Sequence, residues 1–230
     1  MIEEPPLLTV RGERSRPTAG QIEALTGVPT GFVVDAMDGH GALASGIRAL
    51  SPTALPASLC GPVLSCLCGP GDILALLGAL SEVRAGDVVV AATGDWHGCA
   101  VMGDRVAGML VNAGAAGFVT DGVVRDVAGI ESTGLSVHCA GVSPNSPVSS
   151  GPGEIGTPIV VGGVAVDSGD LIVADEDGVV VVPFARIDAV LERVRRIAAL
   201  EQELDARVAA GLAVPDDIAE LMRSDRVRRI

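Results

Sequence analysis

From Asp104 to Asp126 the chain changes hydrophobic period twice. After Asp104, the residues Val106, Met109 and Leu110 recur at a spacing that a 3.6-residue period gathers on one face of a helix. Gly114 stands where such a helix needs a residue at positive φ to stop. Ala115 to Thr120 then reads as a short buried strand, and Asp121-Gly122 turns the chain before Val123-Val124-Arg125-Asp126. Asp87 to Ala92 predicts an earlier strand, completing a strand–helix–strand unit. If its strands are parallel and its crossover right-handed, the helix start and the end of the second strand share one edge of the sheet. Asp104, Arg125 and Asp126 then meet in space although they are distant in the chain.

The same reading extends to the flanks. Residues 1 to 16 are polar and proline-bearing, which predicts an arm or loosely docked tail. Thr18 is placed to cap a short helix through Leu25, and Thr30 to cap another covering Phe32 to Met37. Asp38 to Gly41 is a loop, Gly61 to Cys68 a strand and Asp72 to Leu80 a helix. Thr93 to Met102 is a glycine-containing link carrying the only tryptophan, and a helical turn after Asp126 ends near Gly129. Beyond Leu135, short β-rich runs (Ser136 to Val142, Ile159 to Val161, Val164 to Val166, Leu171 to Ala174, Val179 to Val182) alternate with glycine-bearing turns. A long helix follows from about Phe184 to Ala210. With no repeat and no dividing linker, the pattern predicts one α/β domain with an added β-layer.

Composition narrows the function. The formal charge of −13 argues against nucleic acid, whose phosphates need a basic surface. It also means that an anion site must be built locally. All 16 basic residues are arginine. Without lysine, neither a Schiff base on an enzyme amine nor the lysine of a Walker phosphate loop is possible. Tyrosine is absent as well, so no phenol can serve as acid or base. Cys60, Cys66, Cys68, Cys99 and Cys139 lack metal-ligand spacing and read as reduced thiols of a cytoplasmic protein. The start lacks a secretory pattern, and no apolar run reaches the roughly 18 to 20 residues of a membrane span.

Each candidate has a plain reading on its own: Asp104 as a helix-start residue, Arg125-Asp126 as a solvated pair. Together on one edge they offer more. Mg²⁺ takes oxygen ligands and commonly only one or two protein carboxylates. A neighbouring arginine supplies a planar fork for a substrate carboxylate or a developing enolate oxygen. The amides of Gly103 to Val106, unpaired at a helix start, are a further anion seat. The pattern thus points to a metal-assisted site for small oxo-acids. His97 could face the same cleft or hold a structural hydrogen bond; His40 and His138 lack zinc spacing. Asp175-Glu176-Asp177 reads as a surface hairpin turn.

These residues also carry a resemblance. Gly103-Asp104, twenty residues, then Arg125-Asp126 resembles the D-x20-R-D signature of the RraA-like class II aldolases. Val34 to Met37, Gly61-Pro62-Val63, Ala85 to Val88, Val119 to Gly122 and Gly169 to Pro183 are similar to that family too. The family includes 4-hydroxy-4-methyl-2-oxoglutarate / 4-carboxy-4-hydroxy-2-oxoadipate aldolase. The resemblance implies an αββαβα-type sandwich akin to phosphohistidine swivelling domains, assembled as a homotrimer or dimer of trimers. Residues 17–183 would form the catalytic core, and 184–230 a helix and tail at the subunit interface.

The resemblance further implies Mg²⁺ or Mn²⁺ held by Asp126, with Asp104 reaching it through water. Arg125 would contact the pyruvoyl part of a small oxo-acid, and the amides of Gly103, Asp104, Arg105 and Val106 its carboxylate. A glutamate from a neighbouring subunit would complete the site, with Glu201 the first choice and Glu203 the second. The implied activity is release of pyruvate from a 4-hydroxy-2-oxo acid, with oxaloacetate decarboxylation alongside. A rival within the family is a protein-binding regulator of ribonuclease E, whose members can lack the acid matching Asp126. A phosphohistidine carrier would need a reactive histidine in a loop, and only His40 could serve.

Overall fold

The computed structural model describes residues 6–230. Its first elements are β1 (Leu8–Val10), α1 (Ala19–Leu25), α2 (Thr30–Ala36), β2 (Arg48–Ala49), β3 (Leu59–Leu67), α3 (Leu74–Ala79) and β4 (Val88–Ala92). The middle of the chain forms β5 (Ala100–Met102), α4 (Asp104–Ala113), β6 (Gly117–Thr120), β7 (Val123–Val124), α5 (Val127–Thr133), β8 (Ser136–Cys139) and β9 (Gly141–Val142). There follow β10 (Gly153–Ile155), β11 (Ile159–Val161), β12 (Val164–Val166), β13 (Leu171–Ala174), β14 (Val179–Val182), α6 (Ile187–Ala209) and α7 (Asp216–Leu221).

Strands β3, β4, β6 and β8 lie side by side and parallel, and α3, α4 and α5 connect them in turn. Alternation along each strand divides the core in two. On one face Leu64, Cys66, Val89, Phe118 and Val137 pack with Leu76, Leu110 and Ile130 of the three helices. On the other, Val63, Val88, Val90 and Val119 meet Ile172 and Val181 of the β13–β14 hairpin and Ile159 and Val161 of β11. The far side of that hairpin, Leu171, Val173, Val180 and Val182, is covered by α1, α2 and α6. The layers run helix, sheet, sheet, helix, as the α/β sandwich reading expects. Strand β3 joins both sheets: Leu59 to Pro62 pair with β13, and Val63 to Leu67 with β4.

The arrangement that matters for function lies past the carboxyl ends of these strands. β4, β6 and β8 each run on into β5, β7 and β9, which form a second, small parallel sheet in the same order. The site edge of an open α/β sheet is this one.

Several elements depart from the sequence reading. The described part of the arm is docked: β1 pairs with β10, and Arg14 and Arg16 reach the buried Asp87 at 2.6 and 2.5 Å. A polar composition hid this because the polar groups are paired. Helix α1 has its Thr18 cap, with Gln21 completing a capping box. Helix α2 instead begins at Thr30, whose N–H and hydroxyl both donate to Asp175 at 2.8 Å. Asp175, read as part of a surface turn, thus caps a distant helix. The run Ser136 to Val142 splits at Ala140 between two sheets, and β5 and β10 were not legible as strands. Helix α5 continues through Gly129 to Thr133. No helix among the described residues is long and apolar enough to cross a membrane.

Candidate active site

Asp104 is the first residue of α4, and Asp126 stands at the N-cap position of α5. Parallel pairing of β5 with β7 sets Met102 opposite Val124, so Gly103-Asp104 and Arg125-Asp126 leave the small sheet side by side. The Arg125 amide donates to the Met102 carbonyl at 3.0 Å and fixes that register. All four residues line one cleft of about 480 Å³, together with Arg105, Val106, Ala100, Val101, Met102, Ile73 and Pro147. The spatial convergence expected from the sequence is present.

Two glycines make room for it. Gly103 has extended backbone that any residue could adopt (φ −128°), yet a Cβ there would lie 2.6 Å from Asp126 Oδ2. A Cβ on Gly129 would lie 2.5 Å from that of Asp104. Space, not conformation, selects glycine at both. Asp126 itself sits at φ 59°, in the left-handed region that aspartate tolerates better than most residues. That backbone strain is of order 1 kcal/mol and belongs to a residue at the site.

Arg125 Nη1 donates to Ser146 Oγ at 2.5 Å, and its Nε lies 3.4 Å from Asp126 Oδ2. Ser146 and Pro147 belong to a loop outside every motif of the sequence reading. Asp72 holds that loop: its Oδ2 accepts the Ser150 and Gly151 amides at 2.6 and 2.8 Å, and its Oδ1 the Leu74 amide at 2.7 Å. Burial pushes the Asp72 carboxyl up, but these three N–H donors outweigh it and hold it below its ordinary range. Ser146 and Pro147 had no signal beyond a Ser/Pro-rich loop composition, and Asp72 read only as the start of a helix, because their role is set by long-range packing.

The anion seat is partly occupied. The Arg105 amide donates to Asp104 Oδ1 at 2.7 Å, whereas the Asp104 and Val106 amides have no partner among the described residues. The remaining candidates lie elsewhere. Glu201 and Glu203 are on α6, which packs against α1 and α2 in the opposite outer layer, and neither lines the cleft of its own chain. His97 bonds the Asp121 carbonyl at 2.9 Å, the structural alternative of its two readings. His40 bonds the Met37 carbonyl at 3.1 Å. All five thiols are free, and burial pushes Cys60 up to about 11 and Cys68 to about 12. No group of three or more His, Cys, Asp or Glu suited to a metal occurs among the described residues. Two carboxylates facing one open cleft still fit an ion such as Mg²⁺, which keeps much of its water.

Comparison with known proteins bears on this geometry. The family model described as RraA-like (Aldolase/RraA) matches residues 30–181. A Halalkalibacterium halodurans protein named "Putative 4-hydroxy-4-methyl-2-oxoglutarate aldolase" is 38% identical over 170 residues, covering 74% of this chain and 79% of its own. Among solved structures, Streptomyces coelicolor RraAS2, described as an unusual member of the RNase ES inhibitor RraA protein family, superposes with a TM-score of 0.74 at 27% identity. That match covers 84% of this chain and all of that one. An uncharacterised Pseudomonas syringae protein shares the fold with a TM-score of 0.75 at 23% identity, over 87% of this chain and 97% of its own. By the span of the family match, and by the identity and coverage of the H. halodurans relative, this chain belongs to the RraA-like family.

Proposed function

We propose that the protein is a divalent-metal-dependent aldolase that cleaves 4-hydroxy-2-oxo acids of the 4-hydroxy-4-methyl-2-oxoglutarate type and releases pyruvate. The observation that carries the reading is the convergence of Asp104, Arg125 and Asp126 on one cleft. The name of the H. halodurans relative supports it.

Asp126 would hold Mg²⁺ or Mn²⁺, with Asp104 reaching the ion through water. When bound, the ion would draw electron density from the 2-oxo and carboxylate oxygens of the substrate. Arg125, oriented by Ser146, offers its guanidinium to the pyruvoyl oxygen on which negative charge grows as the C3–C4 bond breaks. The free amides of Asp104 and Val106 receive the C1 carboxylate. Asp104 orients the water that accepts the C4 hydroxyl proton, and the same enolate chemistry accounts for oxaloacetate decarboxylation. The lack of any lysine leaves no imine route.

The second half of α6 exposes Leu200, Leu204 and Val208 at helical spacing, with Glu201 and Glu203 beside them. An apolar stripe of this kind supports assembly as a homotrimer or a dimer of trimers, in which Glu201 of one copy completes the site of the next. A protein-binding role without catalysis is the second reading, favoured by the likeness to the RNase ES inhibitor family member.

Coupled detection of pyruvate from a panel of 4-hydroxy-2-oxo acids and oxaloacetate separates the two. Release that needs added Mg²⁺, stops with EDTA and is lost in Asp126→Asn is the expected result. No pyruvate from any panel member, or undiminished release by Asp126→Asn, would refute the aldolase.

A further inference from the structure

We infer that the Arg105 side chain selects substrates carrying a second carboxylate beyond the cleaved bond. The inference rests on the aldolase reading and deepens it, since the four ionised residues of the cleft are Asp104, Arg105, Arg125 and Asp126. Arg125 is committed to Ser146 and Asp126 and, in that reading, to the pyruvoyl end. Arg105 is exposed, and its guanidinium has no acidic partner within 4.0 Å among the described residues. A cation in the first turn of a helix also works against the helix dipole, so no ion pair or dipole effect among the described residues favours arginine at this position.

Charge balance and surroundings agree. Within one chain the two carboxylates and two guanidinium groups of the cleft cancel, so Arg105 offsets a carboxylate that Arg125 alone would leave unbalanced. The rest of the wall is apolar, formed by Ile73, Val101, Met102 and Pro147, and offers a second carboxylate no other cationic partner. The net charge of −13 repels dianions at long range, so capture must come from a guanidinium at the cleft itself. A planar fork that meets a carboxylate through two N–H groups suits that role.

The test is calorimetric titration of the full-length, Mg²⁺-loaded protein with pyruvate and with 2-oxoglutarate, a dicarboxylate that lacks the cleavable hydroxyl. Arg105→Met is expected to weaken 2-oxoglutarate about 10- to 100-fold and pyruvate less than about 3-fold. Arg105→Lys should recover part of the loss. In turnover, Arg105→Met should raise KM for a dicarboxylic substrate far more than it lowers kcat. Equal losses for both acids, no loss for either, or a wild-type protein that binds pyruvate but not 2-oxoglutarate would overturn the role of Arg105 and leave the aldolase standing. Wild-type protein that binds neither acid and releases no pyruvate would overturn both.

Discussion

The backbone of Gly129 lies so close to Asp104 that an added Cβ would stand 2.5 Å from the Asp104 Cβ and 2.9 Å from its Oδ2. Gly129 is inside α5, where helix propensity alone predicts that alanine would stabilise by about 1 kcal/mol. The collision reverses the sign. Gly129→Ala should cost about 1–3 kcal/mol and move Asp104 out of the cleft. Gly108, within α4, faces open space: a Cβ added there meets nothing within 4 Å, so Gly108→Ala should instead stabilise by about 0.5–1 kcal/mol. Urea unfolding midpoints of the two variants check both signs. A stabilised Gly129→Ala would mean that the close approach of α4 and α5 imposes no constraint.

Asp87 is fully buried and joined to Arg14, whose side chain is only 3% exposed, and to Arg16. Its Oδ2 also accepts the Arg84 amide at 2.7 Å. Removing one member of a buried pair strands the other, at about 3–5 kcal/mol. Asp87→Ala should therefore destabilise by that amount and release the segment before α1 to proteolysis. Limited proteolysis and denaturant titration report the two effects separately, and a loss below about 1 kcal/mol would be at odds with this account.

His138 is fully buried, and its Nδ1 has no partner among the described residues. Burial pushes its pKa below the ordinary 6.5, opposed only in part by the Asp175 carbonyl and carboxylate. The folded protein therefore keeps the ring neutral where the unfolded chain takes up a proton. This contribution to stability is complete above about pH 6.5 and falls as the pH drops towards the folded-state pKa, by at most about 1.4 kcal/mol per unit. His138→Leu should flatten the stability curve below about pH 6.5. An unchanged acid limb in that variant would exclude the histidine as its source.

How much of this could be read from the chain follows from what each feature depends on. The α4 helix, its Gly114 stop and the β6 strand are local: hydrophobic period and a left-handed glycine at φ 90° specify them without help from distant residues. The approach of Asp104 to Arg125-Asp126 needed one further rule, the geometry of a parallel crossover. Features built by long-range pairing stayed hidden. Ser146 orients Arg125 across 21 residues, and Asp72 holds the intervening loop from nearly 80 residues away. Arg14 and Arg16 fell in a segment read as an arm or loosely docked tail because their common partner, Asp87, sits about 70 residues later.

The small parallel sheet of β5, β7 and β9 holds the candidate chemistry outside the large one. Its strands are anchored in the core through Val101, Met102 and Val124, while Asp104, Arg105, Arg125 and Asp126 stand at its open end, so a lineage can exchange those side chains while the interior stays intact. One inherited scaffold can then drift between turnover and recognition. Relatives named for either occupation are what such a division of labour would leave behind.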